Sequence, residues 1–222
     1  MMQSHPDSHD IADRLLSQMP ADLNALTEVI VAGHRGDHAV ANAALHSDDP
    51  HLRAAAIGAL ARCRSLTPAH LAPLLGDPDP RVRRRAAQAA AHFPGLDLSS
   101  TITDADPIVA EMAIWACGEH EQVSDSVLNL IIAATTESQE ILIREAAAAA
   151  LGAIGDPRGL PAILTACADK PAVRRRAVLA LAPFIDGPDH ELVLTALKRA
   201  LADRDWQVRQ AAEDIFPELT DQ

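Results

Sequence analysis

Tyrosine is missing from this chain altogether, and the remaining aromatics amount to three Phe and two Trp in 222 residues. A sheet-based core is thereby disfavoured, because β-branched and aromatic side chains are what pleated surfaces pack with. Cysteine is nearly as scarce. Cys63, Cys117 and Cys167 are odd in number, lack Cys-x-x-Cys spacing and stand among helix formers, so they read as reduced packing residues rather than as disulfides or metal ligands. Long apolar runs are lacking too: Ala146 to Ile154 falls far short of the roughly 20 residues that a membrane span requires. Met1 to Asp10 has no basic region followed by an apolar stretch; no signal peptide is expected, and the chain reads as cytoplasmic with no membrane partner. Positive charge is in short supply, with 19 Lys and Arg against 31 Asp and Glu and a net charge of −12. Such a chain repels phosphate backbones, which disfavours nonspecific nucleic-acid binding. The imbalance is uneven, since residues 51–100 carry +4 whereas residues 101–150 carry −8.

What the chain has instead is a repeat. An apolar residue followed by Arg, with Ala three residues later, recurs in Asp49-Pro50-His51-Leu52-Arg53, Asp79-Pro80-Arg81-Val82-Arg83, Glu140-Ile141-Leu142-Ile143-Arg144, Lys170-Pro171-Ala172-Val173-Arg174 and Asp205-Trp206-Gln207-Val208-Arg209. A sixth copy, Asp106-Pro107-Ile108-Val109-Ala110, has Ala in place of Arg. Successive frames lie 30, 27, 34, 30 and 35 residues apart, a period at which one supersecondary unit is stacked on the next. With Ala abundant and strand formers rare, the unit is a helical hairpin, and the fold class is an all-α superhelix of about six hairpins.

Counting the Arg position as 0, the residues at −1, +3, +4 and +7 fall on one stripe of the second helix at about 100° per residue. The +4 row is Ile57, Ala87, Ile114, Ala148 and Val178; the +7 row is Leu60, Ala90, Cys117, Leu151 and Leu181. Asp-Pro supplies an N-cap acceptor and a Pro in the first turn, which marks helix starts near residues 50, 80, 107, 140, 171 and 206. First helices are expected at 37–46, 68–75, 121–135, 157–167 and 188–201, with a short turn around 97–101. The expected organisation is a disordered tail at 1–9 and one repeat domain at 10–222, with cap helices within 10–36 and repeats over 37–217. A monomer is expected.

Arg at position 0 lies within the angular range of the buried stripe and needs acceptors. Loop carboxylates at −4 and −6 are the nearest, as in Asp77 and Asp79, Asp104 and Asp106, or Asp203 and Asp205; Arg53, Arg83, Arg144, Arg174 and Arg209 with such acids, Asp49, Asp79, Asp106 and Asp205 among them, are expected to form a structural ladder between neighbouring repeats. Ala110 interrupts it, and local weakness or a bend is expected there.

The frame Asp-Pro-x-Val-Arg-x-x-Ala, and above all Ile143-Arg144-Glu145-Ala146-Ala147 through Leu151-Gly152-Ala153-Ile154-Gly155-Asp156-Pro157, resembles the HEAT-like repeat of the bilin lyase family and of many bacterial scaffold proteins. The resemblance covers roughly residues 37–217. It implies an α-solenoid whose second helices line a concave side, but no activity, because the motif positions are packing positions. The deoxyhypusine hydroxylase type of enzyme is built on similar repeats with His-Glu pairs as iron ligands; the matching turns here, such as Arg53-Ala54-Ala55 and Arg83-Arg84-Arg85, carry none. His120-Glu121 and His190-Glu191 fall near turns. His34 and His38 have i,i+4 spacing, yet Gly33 and Gly36 argue for a loop between them. No phosphate loop or nucleophile elbow is recognisable. The expected protein is thus non-enzymatic, with no catalytic residues, no metal and no cofactor.

The surface left over is the face of the second helices opposite the stripe. There Trp115 is the largest apolar side chain, with Met112, Glu119, Arg84, Arg85, Gln88, His92, Arg175 and Arg176 around it. Aromatic, Met and Arg side chains are those enriched at binding hot spots; a Trp at this position also suits the covering of a gap between helices. The leading reading is a scaffold or adaptor that binds a partner protein in its concave groove. The alternative, drawn from the resemblance, is a bilin lyase-like or phycobilisome-related role in chromophore handling. A helical-repeat DNA glycosylase role conflicts with the negative charge.

Overall fold

The computed structural model describes residues 22–215, all of whose regular elements are helices. The tail at 1–9, the cap helix expected over 10–19 and the last residues from 216 on lie outside the described residues. Two compact units divide the chain after Leu66.

In the first unit, α1 (Leu23–Arg35), α2 (His38–Ala44) and α3 (Pro50–Arg62) pack on one another. Asp22 accepts hydrogen bonds from the backbone N–H of Asn24 and Ala25 and so starts α1; Gly36, in the left-handed conformation at φ 75°, ends it. Helix α1 runs through Gly33, where a loop is expected from sequence. The reason is contact: a Cβ at Gly33 would stand 2.7 Å from Cα of Ala59, so glycine lets α1 and α3 touch backbone to backbone.

The second unit holds α4 (Pro68–Leu74), α5 (Pro80–Ala90), α6 (Ser99–Ile102), α7 (Pro107–Gly118), α8 (Asp125–Glu137), α9 (Ile141–Ile154), α10 (Leu160–Ala166), α11 (Pro171–Ala180), α12 (His190–Leu201) and α13 (Trp206–Ile215). Single 3₁₀ turns at Pro157–Gly159 and Ala182–Phe184 connect some of them. Each odd-numbered helix pairs with the even-numbered one before it, and α5, α7, α9, α11 and α13 pack in a row. The second unit thus makes five stacked hairpins, and α2 with α3 makes one further hairpin within the first unit, all of one all-α repeat architecture.

The stripe read from the sequence is the core. Ala56, Ala86, Ala113, Ala147 and Ala177 at +3 have no exposed surface, and Ile57, Ile114, Val178, Leu60, Leu151 and Leu181 at +4 and +7 are buried with them. Glu213, the +4 residue of the last described helix, is half-buried and closes that row with a polar residue. Second-helix starts fall at 50, 80, 107, 141, 171 and 206. First helices are shorter than expected, because α8 starts at Asp125 behind its Ser124 cap and α10 begins after a 3₁₀ turn.

Candidate functional site

The arginines at position 0 are held twice. Each reaches back to its own loop: Nη1 donates to the carbonyl of Ser47 from Arg53, of Asp77 from Arg83, of Ser138 from Arg144, of Asp169 from Arg174 and of Asp203 from Arg209. Three also reach forward to the next loop. Arg83 makes a two-pronged bond to Asp104 at 2.7 and 2.8 Å, Arg174 one to Asp203 at 2.7 and 2.9 Å, and Arg144 pairs likewise with Asp169. The Arg hydrogen bonds pull the carboxyls of Asp104, Asp169 and Asp203 below the usual carboxylate range.

Of the carboxylates expected at −4 and −6, Asp104 and Asp203 at −6 form the bridges, joined by Asp169 at −5, and those at −4 do not. Asp49, Asp79, Asp106 and Asp205 accept from backbone N–H groups of the first turn of their own helices. The reason is direction: an acid at −4 is aimed along the helix axis at the free N–H groups, whereas one at −6 or −5 lies in the loop facing the preceding repeat. Ala110, the interruption, is itself buried, and the loop position across from it is Ser138 rather than Asp. Both ends of the missing bridge are neutral. Helices α7 and α9 pack on one another across this joint, as the neighbouring second helices do.

Opposite the core stripe, the second helices present a groove of about 430 Å³ across α7, α9 and α11. Trp115, Glu111 and Glu119 line it from α7 and its C-cap, Leu142, Glu145, Ala146, Ala149 and Ala153 from α9, and Arg176 from α11. The hollow exists because a large side chain on α7 stands beside small ones: α9 offers Ala149 at the register where α7 offers Trp115. Trp115 and Leu142 are 41% and 42% exposed, and Ile108, one turn before Met112, is 48% exposed. Three large apolar side chains on one face are more than scattered exposure requires.

Of the residues singled out from sequence, Trp115, Glu119 and Arg176 line this groove. Met112 is half-buried beside it on α7. Arg84, Arg85 and Gln88 stand on α5, where Arg85 donates to Oε1 of Gln88, and His92 lies in the turn after that helix. Arg175 lines a smaller hollow of about 240 Å³ with Leu179 and Trp206, and Trp206 is 64% exposed. Glu145 pairs with two of the three arginines of α11, at 3.2 Å from Nε of Arg176 and 3.7 Å from Nη2 of Arg175. Leu142, Ile108, Glu111 and Glu145 were not singled out as residues of this face by the sequence reading. The signal for the first two was available, since position −2 shares the exposed face with +1, +2 and +5.

The other chemistry-bearing residues have packing partners. His120 is buried, with Nε2 3.0 Å from the carbonyl of Ala90; His190 bonds the carbonyl of Ile185. His34 ends α1 and His38 begins α2, where its Nδ1 meets the Ser65 hydroxyl at 2.9 Å. Burial pushes the thiols of Cys117 and Cys167 up to about 12, which keeps both protonated and unreactive at neutral pH. Among the described residues, no group of three or more His, Cys, Asp or Glu side chains is placed to hold a metal ion, and no helix is long and apolar enough to cross a membrane.

No curated protein matches the chain. Solved structures do, at the level of fold. An engineered protein shares 19% identity at a TM-score of 0.58, covering 87% of this chain and 97% of its own. A designed armadillo repeat protein in complex with the peptide (KR)4 shares 18% at 0.60, covering 80% and 97%. The Escherichia coli protein YibA shares 19% at 0.56, covering 74% and 63%. A family model of HEAT repeats matches residues 38–102 and 96–182, more than half of the sequence, without singling out the bilin lyase subtype, and the chain therefore belongs to the HEAT repeat family.

Proposed function

We propose that this protein is a binding scaffold, and that a segment of a partner protein docks in the groove across α7, α9 and α11. The observation that carries the reading is that Trp115 and Leu142, both more than 40% exposed, line a groove whose floor is cut down to alanine, with Ile108 exposed about two turns before Trp115 on α7. An exposed Trp beside a hollow supplies large apolar area at little entropic cost, the usual character of a binding anchor. The armadillo repeat protein of similar fold that holds a peptide gives the reading a parallel. Motif positions of the repeat carry the packing, which leaves this face free to vary with the partner.

The test begins with the partner recovered by the native chain from its own lysate, identified by mass spectrometry and then titrated as a purified protein. Trp115→Ala and Leu142→Ala should each weaken it by about 1 to 2 kcal/mol, some five- to thirtyfold in Kd. Helical content and thermal midpoint should stay close to those of the parent, because neither side chain belongs to the core. Undiminished affinity in both variants would remove the groove as the docking surface.

A further inference from the structure

Charge inside the groove is not evenly satisfied. Glu145 is engaged by Arg176 and, at longer range, by Arg175, which leaves one net positive charge on the three together. Glu111 and Glu119 make no ion pair with any described residue, and both line the groove with Trp115. They stand four residues before and four after that Trp, which on a helix sets each about 6 Å along the axis from it and on the same face. Two unneutralised carboxylates thus bracket one exposed indole, in the part of the chain, residues 101–150, whose net charge is −8.

Resting on the reading of the groove as a docking surface, we propose that its occupant is a basic segment, one Lys or Arg of which is received at Trp115 between Glu111 and Glu119, with apolar neighbours on Leu142 and the alanines of α9. The cation gains twice: from two like charges that no described residue pairs with, and from the indole face, which attracts ammonium and guanidinium groups. An acidic segment meets the opposite field at the same place. Arg175 and Arg176 do not reverse this, because with Glu145 they leave one positive charge against the two carboxylates.

The full chain carrying Trp206→Phe leaves Trp115 as the one fluorescent indole. It is to be titrated with short synthetic peptides of alternating Leu, Lys and Arg, and with matched peptides in which Gln or Glu replaces every basic residue. The basic peptide should change Trp115 emission saturably, and the Glu peptide should not. Glu111→Gln with Glu119→Gln should raise the Kd of the basic peptide about fivefold or more, as the loss of two exposed charge contacts implies. Raising ionic strength from about 0.01 M to about 0.15 M, which shortens the screening length from about 30 to about 8 Å, should weaken it as well. Equal binding of the Gln or Glu peptides, or an unchanged Kd in the double Gln variant, overturns the proposal. A flat response to all three peptides overturns it too. If Trp115→Ala still loses the native partner in that case, only the cation assignment falls; if the partner is retained, the groove reading falls with it.

Discussion

A guanidinium turned toward a protein core is stable only where its donors find acceptors. Arg83 and Arg174 meet that condition with all three nitrogens, two to a carboxylate of the next loop and one to a carbonyl of their own. Replacing either with Met should cost about 1 to 3 kcal/mol, because the carboxylate left behind is partly buried. Urea denaturation of both variants measures it, and unchanged midpoints would make the bridges incidental. The pH dependence has a definite sign. Asp104, Asp169 and Asp203 have carboxyls lowered in the folded state by their arginines, so their contribution is complete above the unfolded carboxylate range near pH 4 and is lost as pH falls through the lower folded values. Asp203→Asn should flatten the stability curve below about pH 4 relative to the parent; a curve that keeps its full slope would count against the bridge.

At the scale of helices, the closeness of the second-helix row depends on small residues. A Cβ at Gly152 would stand 2.6 Å from both Cα and Cβ of Ala180, whereas one at Gly95 would meet nothing within 4 Å. Gly152→Ala should therefore destabilise by about 1 to 3 kcal/mol through forced separation of α9 and α11. Gly95→Ala should be near neutral by the same calorimetric measurement, and equal midpoints for the two would show that the row tolerates spreading. These elements were readable in the sequence to different degrees. Second helices were legible because Asp-Pro, an apolar residue at −1 and Ala at +3 coincide in one frame, and the buried stripe follows from a single period. First helices carry no such coincidence, and α6, four residues long, has little sequence signal at all. Trp115 was visible as an exposed angle on one helix. The groove was not, because it is made by the contrast between Trp115 on α7 and alanine at the same register of α9, and relative register of neighbouring helices is a packing result. The pairing of Glu145 with two arginines was hidden for the same reason.

Along the second unit, the bridges and the interruption at Ala110 are correlated in sequence: where Arg is absent at Ala110, the facing loop has Ser138 in place of Asp. A charge at one end alone would be buried without a partner. Ala110→Arg by itself should lower stability, and Ser138→Asp added to it should recover about 1.5 to 3 kcal/mol of coupling, the worth of hydrogen bonds to a charged group. A double-mutant cycle with no coupling would show that Arg at this joint cannot reach the opposing loop. The buried cysteine of α7 adds a means of observation that the protein already contains. Cys117 is 2% exposed and its thiol is held protonated, so a thiol-reactive electrophile in solution makes almost no progress while the surrounding hairpins stay closed. Its labelling rate is then a clock for how often this stretch of the array opens, and running that clock with and without the docked partner would time how far occupation of the groove stills the helices beneath it.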